Sequence, residues 1–422
     1  MKELYQLLNQ SEASDFLIRQ TTTLSREAFF IGQKLDMGRA KKVTHTFVTV
    51  YVDSEDKKYR GSAVKEIHPT CTAKEIQKEI ESAIFAAKFV QNPWYPLVSD
   101  QTCEAAPQSF DLNEQLAKIV SGMQSVSASA DEKINSYEIF VEQKQTRIIN
   151  SRGVDVSFSN FACEVEAVIN ARKDGHEIEL FKVLHFADKP ANEITAEIEK
   201  MFLSGHQRLN AAPTRKNEHA NLLLSGDDVV EFFHYFTAHT NASNQYMGVG
   251  KAKIGEKITG DEADPLTIRL IPSLNGSTKN EPYDQDGNPV TERVLFRDGI
   301  CQSFWGSTQH AYYIGMKDTT SSNNLTVCGG TASEAELRSL PHLEVTDFSD
   351  FQMDPVTGYF GGEIRLGYES DGVNRHSVTG GSVSANFSKV LGNIRFSKET
   401  RQINNCIVPC AVYLTDVSIS GE

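Results

Sequence analysis

Apolar and polar positions change their period along this chain, and the changes divide it. Val43 to Val52 is a β-branched run with partial alternation, which predicts a strand. Ile76, Ile80, Ala83, Ile84 and Ala87 then recur at helical spacing behind Thr72-Ala73-Lys74-Glu75. That tetrad has the form of a capping box, in which the Thr hydroxyl and the Glu carboxylate each satisfy a free backbone N–H. The helix should stop before Asn92-Pro93, because the residue preceding a proline is pushed out of the α region. A second amphipathic helix is predicted from about Asp111, with Leu112, Leu116, Ile119, Val120 and Met123 on one face.

From Ile134 to Phe186 the period falls to two. Tyr137–Val141, Thr146–Ile149, Val154–Ala162, Glu164–Ala171 and Glu177–His185 are successive strand candidates. Their separators, Asn150-Ser151-Arg152-Gly153 and Lys173-Asp174-Gly175, are turn formers. A meander covered on one side by helices is the simplest arrangement, and Ile194, Ile198, Met201 and Phe202 mark another helix. The polar, proline-bearing stretch Ala211 to Asn217 is the natural boundary, giving domains at 1–212 and 213–422. Beyond it, Leu222-Leu223-Leu224 reads as a short buried strand. A helix should follow, capped by Ser225, with Asp227 and Asp228 in its first turn and Val229, Val230, Phe233 and Phe236 inside. After Pro265 the chain is strand and turn, except for a helical piece around Phe387 to Leu391. The expected class is α+β: an N-terminal α+β domain with helices on a mostly antiparallel sheet, then a C-terminal β-rich domain.

Composition narrows the function classes. With 39% apolar and 23% charged residues in 422, the chain can bury sizeable cores. No apolar run approaches the roughly 20 residues of a membrane span, and Met1 to Gln6 turns polar at once, so neither a membrane segment nor a signal peptide is expected. Seven cysteines without CxxC spacing suit a reducing compartment, so a cytoplasmic protein with silent sequons at Asn241, Asn275 and Asn386 is expected. A net charge of −14 without clustered Lys or Arg argues against direct nucleic-acid binding.

The sharpest local signal lies between Pro282 and Gly315. An acidic turn, Asp284 to Pro289, leads to Val294-Leu295-Phe296, then Arg297-Asp298-Gly299, then a second apolar run from Ile300 to Trp305. Asp-Gly between two apolar runs predicts a tight hairpin turn with positive φ at both positions. With Pro265 to Leu274 before it and Ala311 to Gly315 after it, this stretch resembles the C-terminal domain of the TldD/PmbA family, the "modulator of DNA gyrase" or peptide-maturation proteins. Val356 to Phe360 and Leu391 to Ile394 extend the resemblance. In the N-terminal half it rests on Ala86 to Pro96 and Asn150 to Gly153.

The resemblance implies a specific test. In the metallopeptidase branch an apolar strand runs into H-E-x-x-x-H, two zinc ligands and a base, and a Cys near the C-terminus completes the site. Here the corresponding letters are Ser225-Gly226-Asp227-Asp228-Val229-Val230. Glu231, His234 and His239 lie further on, but His234 and His239 are five apart and point to different sides of a helix. Cys406 and Cys410 fall near the family's cysteine region, where a thiol without His partners reads as a small hydrophobe. The resemblance therefore points to the PmbA (TldE) branch, with no catalytic, cofactor-binding or metal-binding residue assigned and no cofactor expected. Other motifs fail on spacing. His176-Glu177 has Leu180 where a zinc protease needs its second His, and the segment reads as a strand. Asp284 to Asn288 with Glu292 lacks calcium-loop spacing and reads as a solvated turn. Gly248-Val249-Gly250-Lys251 lacks the first P-loop glycine, Gln245 standing there, and no G-x-S-x-G elbow occurs.

The expectation is a PmbA-like subunit of a cytosolic TldD/PmbA-type peptidase system, acting in proteolysis and peptide maturation. Its partners would be extended peptides and a second copy or a zinc-bearing TldD-type paralogue. Phe304, Trp305, Tyr312 and Tyr313 offer aromatics for such an interface, or equally for the core. A free-standing metallopeptidase or hydrolase with an unrecognised site, and a non-enzymatic scaffold, are the alternatives.

Overall fold

The computed structural model describes residues 1–104 and 110–422. Eight strands form the N-terminal sheet: β1 (Asp15–Ile31), β2 (Lys34–Asp53), β3 (Tyr59–Glu66), β4 (Asn92–Pro93), β5 (Thr102–Glu104), β6 (Glu132–Asn150), β7 (Asp155–Lys173) and β8 (His176–Phe186). Their order is β4-β3-β2-β1-β6-β7, with β5 and β8 both beside β7, and every pairing except β5–β7 is antiparallel. The alternation predicted four separate strands between Tyr137 and Ala171. They fuse into two, β6 and β7, because the polar residues at Gln143 to Gln145 keep the ladder while pointing out of the core.

Period two assigns each face of this sheet to a different neighbour. Phe16 and Ile18 of β1 and Val48 and Val50 of β2 turn toward α1 (Lys2–Asn9) and α2 (Ala73–Ala87). Farther along the same face, Ala28, Ile139 and Val165 meet α3 (Leu112–Gln124) and α4 (Ala191–Leu209). The capping box at Thr72 and Glu75 is formed, and Asp111 caps α3 by accepting from Asn113 N and Glu114 N. On the opposite face Leu17, Tyr51, Ile148, Val156 and Phe158 pack against Tyr283 and Tyr313 of the C-terminal half.

That half has two sheets. Short strands β9 (Ala212–Pro213) and β10 (Asn217–Leu224) precede α5 (Val229–Thr240) and α6 (Ala242–Tyr246). Then come β11 (Ile268–Ile271), β12 (Arg293–Arg297), β13 (Ile300–Cys301), α7 (Thr308–Tyr313), β14 (Asn324–Val327), α8 (Glu334–Arg338), β15 (His342–Phe348), β16 (Gln352–Met353), β17 (Tyr359–Ser370), β18 (Arg375–Thr379), β19 (Ser382–Asn386) and α9 (Phe387–Val390). Strands β20 (Arg395–Phe396), β21 (Thr400–Ile403), β22 (Cys406–Pro409) and β23 (Val412–Ser420) end the chain. A nine-stranded sheet runs β15-β10-β23-β19-β17-β18-β9, with β16 and β20 at its flanks, and a six-stranded sheet runs β13-β12-β11-β14-β22-β21. Phe232, Phe233 and Phe236 of α5 are fully buried in one apolar cluster with side chains from both sheets.

Several expectations need correction here. Ala211 to Asn217 is not a free connector, since β9 pairs in parallel with β18 and is woven into the sheet. Helix α8 interrupts the strand-rich tail besides α9, and the helix-like segment that the resemblance implies at Ala311 to Gly315 begins earlier, as α7 from Thr308. The hairpin turn is as predicted, with Asp298 at φ 51° and Gly299 at φ 80°, but its second strand ends at Cys301 rather than running to Trp305. The four aromatics do not share one patch. Phe304 and Trp305 lean on the C-terminal core, the Trp305 indole donating to Thr237 O at 2.9 Å. Tyr312 and Tyr313 instead bind the halves together, edge-on to Trp94 and Tyr95, with the Tyr313 hydroxyl donating to Pro93 O.

Candidate functional site

The stretch at which the resemblance leads one to expect the metallopeptidase motif begins where β10 ends. Leu222, Leu223 and Leu224 are fully buried between β15 and β23. Ser225 does not cap α5, whose N-cap is Asp228 with no side-chain hydrogen bond. Its hydroxyl donates instead to Glu344 Oε1 at 2.6 Å. Glu344 is fully buried and also receives Arg338 at 2.7 Å and Arg375 at 2.9 Å. Burial alone would raise the Glu344 pKa, but Arg338, Ser225 and Arg375 outweigh it and hold the carboxyl below its ordinary range. The next residue can only be glycine in this packing, because a Cβ on Gly226 would lie 2.3 Å from Thr346 O. Arg401 donates to the carbonyls of Ser225 and Gly226 at 2.8 and 2.6 Å.

The following carboxylates are committed as well. Asp227 faces Lys182 of β8 at 3.4 Å and Arg401 at 3.7 Å. Asp228 is pushed up to about 6 by burial and by the neighbouring charges of Asp227 and Asp347. Glu231 pairs with His234 at 2.9 Å on the half-exposed side of α5. His239 is buried on the other side, edge-on to Tyr235, with Nδ1 accepting from Lys251 N at 3.3 Å. Burial, followed by Lys251, lowers the His239 pKa to about 4, so it is neutral in ordinary buffers. The two histidines are therefore not brought together. Cys406 is: it lies in the apolar cluster that encloses α5, its thiol pushed up to about 12 by burial. Cys410, half-buried, is also raised by burial. Among the described residues no group of three or more His, Cys, Asp or Glu side chains is arranged to hold a metal. The donor set does not fit zinc: the corresponding positions supply a hydroxyl bound to a carboxylate, a glycine, two acids and two valines.

A second feature was missed in the sequence. Between the outer face of the N-terminal sheet and the C-terminal half lies a cleft of about 470 Å³. Leu17, Phe47, Tyr51 and Val64 form its apolar wall, and Asp286, Ser307 and His310 line the facing side. The acidic turn behind it is not solvated. Asp284 is buried and accepts from Asp286 N, Asn288 N and the Asn288 amide, while burial and then Asp286 push it up to about 6. A Cβ on Gly287 would lie 2.7 Å from Val154 Cγ1, so this turn docks on the N-terminal sheet. Asp286 Oδ2 accepts from Thr308 N at the start of α7, and Ser307 Oγ shares a hydrogen bond with His310 Nδ1 at 3.0 Å. Only the alternation that sends Leu17, Phe47 and Tyr51 to one face could have marked this wall in advance. His176 and Glu177 lie on a strand, as their pattern implies, and Gly248 to Lys251 form a loop.

Comparison with known proteins places these features. Residues 217–421 match the PmbA/TldA metallopeptidase C-terminal domain, and no curated protein matches the chain. Among solved structures, TldE from Thermococcus kodakarensis superposes with a TM-score of 0.78 at 18% identity, covering 99% of this chain and 100% of its own. Proposed modulators of DNA gyrase from Thermotoga maritima and Bacteroides thetaiotaomicron do so with the same TM-score at 15% identity, each covering 100% of this chain and 99% of their own. The shared fold runs the full length, while the sequence match lies in the C-terminal half. Residues 217–421 thus carry the C-terminal domain of the PmbA/TldD family.

Proposed function

We propose that the chain is a PmbA-type subunit, of the TldE branch, in a cytoplasmic peptidase system for proteolysis and peptide maturation. On this reading it carries no zinc of its own and works beside a zinc-bearing paralogue. The observation that carries the reading is that Ser225 is bound to the buried Glu344, itself held by Arg338 and Arg375, while the neighbouring Asp227 faces Lys182. A histidine could replace neither Gly226, which has no room, nor Ser225 without removing the hydroxyl that donates to Glu344. The task left to such a chain is to hold an extended peptide, and the cleft facing Phe47 and His310 has the apolar wall and polar rim for it.

Elemental analysis, light scattering and hydrolysis of unstructured peptides test this together. The purified chain should carry no stoichiometric zinc, should be oligomeric, and should stay inert until the paralogue is added. A monomer that cleaves peptides alone, with one zinc lost in His234→Ala or His239→Ala, overturns it. The Ser307–His310 hydrogen bond at the cleft favours a second reading, a free-standing hydrolase. Ser307→Asn keeps a capping acceptor for α7 but removes the hydroxyl. If the isolated chain hydrolyses peptides and this variant does not, the second reading replaces the first.

A further inference from the structure

Away from both features, the C-terminal end of α4 and the β17–β18–β19 region of the large sheet enclose an open cleft of about 600 Å³. Two arginines line it, Arg208 of α4 and Arg365 of β17. Neither guanidinium has a carboxylate within ion-pair distance among the described residues. Arg365 donates only to the Ser349 hydroxyl, at 2.8 Å. Arg208 is half-buried, and burial lowers its pKa despite the attraction of Asp347. Such a guanidinium, partly stripped of water and not hydrogen-bonded by the protein, is incomplete without an acceptor. Its place in the last turn of α4 suits the helix dipole, but that role needs no second arginine across a cleft. The hydroxyls of Ser382 and Ser420 and the Gly380-Gly381 turn complete the lining, both glycines at positive φ.

The charge balance selects the anion. Glu363 lies in the same lining and Asp347 lies within electrostatic range of both arginines, its own carboxyl raised by burial. Two cations against two acids leave the lining near neutral, where a second added negative charge costs more than the first, so a carboxylate suits the site better than a phosphate dianion. The cleft also continues. Ser349, Glu363 and Ser382 border a second cleft of about 750 Å³ that runs past Met353 and Tyr359, with room for several residues of extended chain.

We propose that Arg208 and Arg365 clamp the C-terminal carboxylate of a peptide whose preceding residues lie along β17 and β19. The planar fork of arginine matches a carboxylate in two-point geometry. The choice of a peptide as ligand rests on the function proposed above. The test needs no paralogue: calorimetric titration of the isolated chain with an N-acetylated hexapeptide, as the free acid and as the C-terminal amide. The free acid should bind at least ten-fold tighter, and Arg208→Gln and Arg365→Gln should each erase that preference in a chain that melts normally. Inorganic phosphate should compete weakly. Equal binding of acid and amide, a preference that survives in both folded variants, or binding of phosphate with an inert peptide would each overturn the proposal. Should Arg208→Gln fail to fold, the exposed Arg365 and the acid–amide comparison still decide it. Failure to hydrolyse peptides with the paralogue would remove the proposed function and leave this binding result standing.

Discussion

The N-terminal sheet and the C-terminal half solve burial in opposite ways. Strands β6 and β7 run 19 residues each, alternate with a change of phase partway along, and bury apolar side chains such as Ile139, Val165 and Ile169 at 0% exposure. In the C-terminal half most strands have five residues or fewer, and polar groups such as Glu344, Asn324 and Ser397 are as deeply buried. A long ladder satisfies its backbone by repetition, so most of its core is apolar, with Arg60 beside Asp15 and Glu27 beside Arg39 as buried charges already paired. Short strands leave turns inside the fold, and side chains must answer the backbone groups those turns expose. Asn324 shows this, its side-chain amide donating to the backbone carbonyl of Lys279 at 3.3 Å while its Oδ1 accepts from Ser277 Oγ at 2.6 Å. The chemistry gathers where the repetition stops.

Three substitutions put numbers on the contrast. Ile139→Ala opens a cavity in the regular core that the flanking strands cannot close, and should cost about 3–4 kcal/mol in denaturant unfolding. A loss under about 1 kcal/mol would mean that the long sheet relaxes easily. Glu344→Ala removes a buried charge, yet Arg338 and Arg375 each keep part of their surface in water. They can rehydrate, so the expected loss is smaller than for a sealed ion pair, about 2–3 kcal/mol. Because the folded pKa of Glu344 is lowered, its contribution is present above the unfolded pKa and fades as pH falls through the folded value. The mutant and parent curves should therefore converge in acid. Asp228→Asn has the smallest effect and the opposite sign. Its folded pKa of about 6 stands above the ordinary aspartate value of 3.8, so the stability it contributes is complete below the lower value and lost as pH rises through the higher. The variant should gain about 1–2 kcal/mol at pH 8 and nothing near pH 4. No gain at pH 8 would show that the ionised form has partners of its own.

Legibility followed the same division. The helices at 73–87, 112–124 and 191–209 and the ladders around them could be read because one period holds over many residues. The Asp298-Gly299 turn could be read because its backbone demand is local. The N-cap at Ser225 could not, since its hydroxyl is claimed by Glu344, 119 residues away. Asp284 gave no sign of burial for the same reason: the surface that covers it comes from the other half of the chain. The absence of histidine at 225–230 was visible as letters, but the network that fills the position was not. The Arg208–Arg365 cleft joins residues 157 positions apart and has no local pattern at all.

The outer edge of β2 has one last consequence. From Lys34 to His45 no strand lies beyond it among the described residues, because β3 pairs only with Phe47 to Asp53. An open edge of that length, carrying Leu35, Met37 and Val43 on its surface, is a template on which a second chain could extend the ladder. Lys34, Arg39, Lys41 and Lys42 outnumber the single acid Asp36 along it in a protein of net −14, although Arg39 and Lys41 also pair with Glu27 of β1. Two such edges brought together would bring an excess of positive charge face to face. The hairpin is thus protected against runaway stacking of identical molecules, by gatekeeper residues rather than by a covering element.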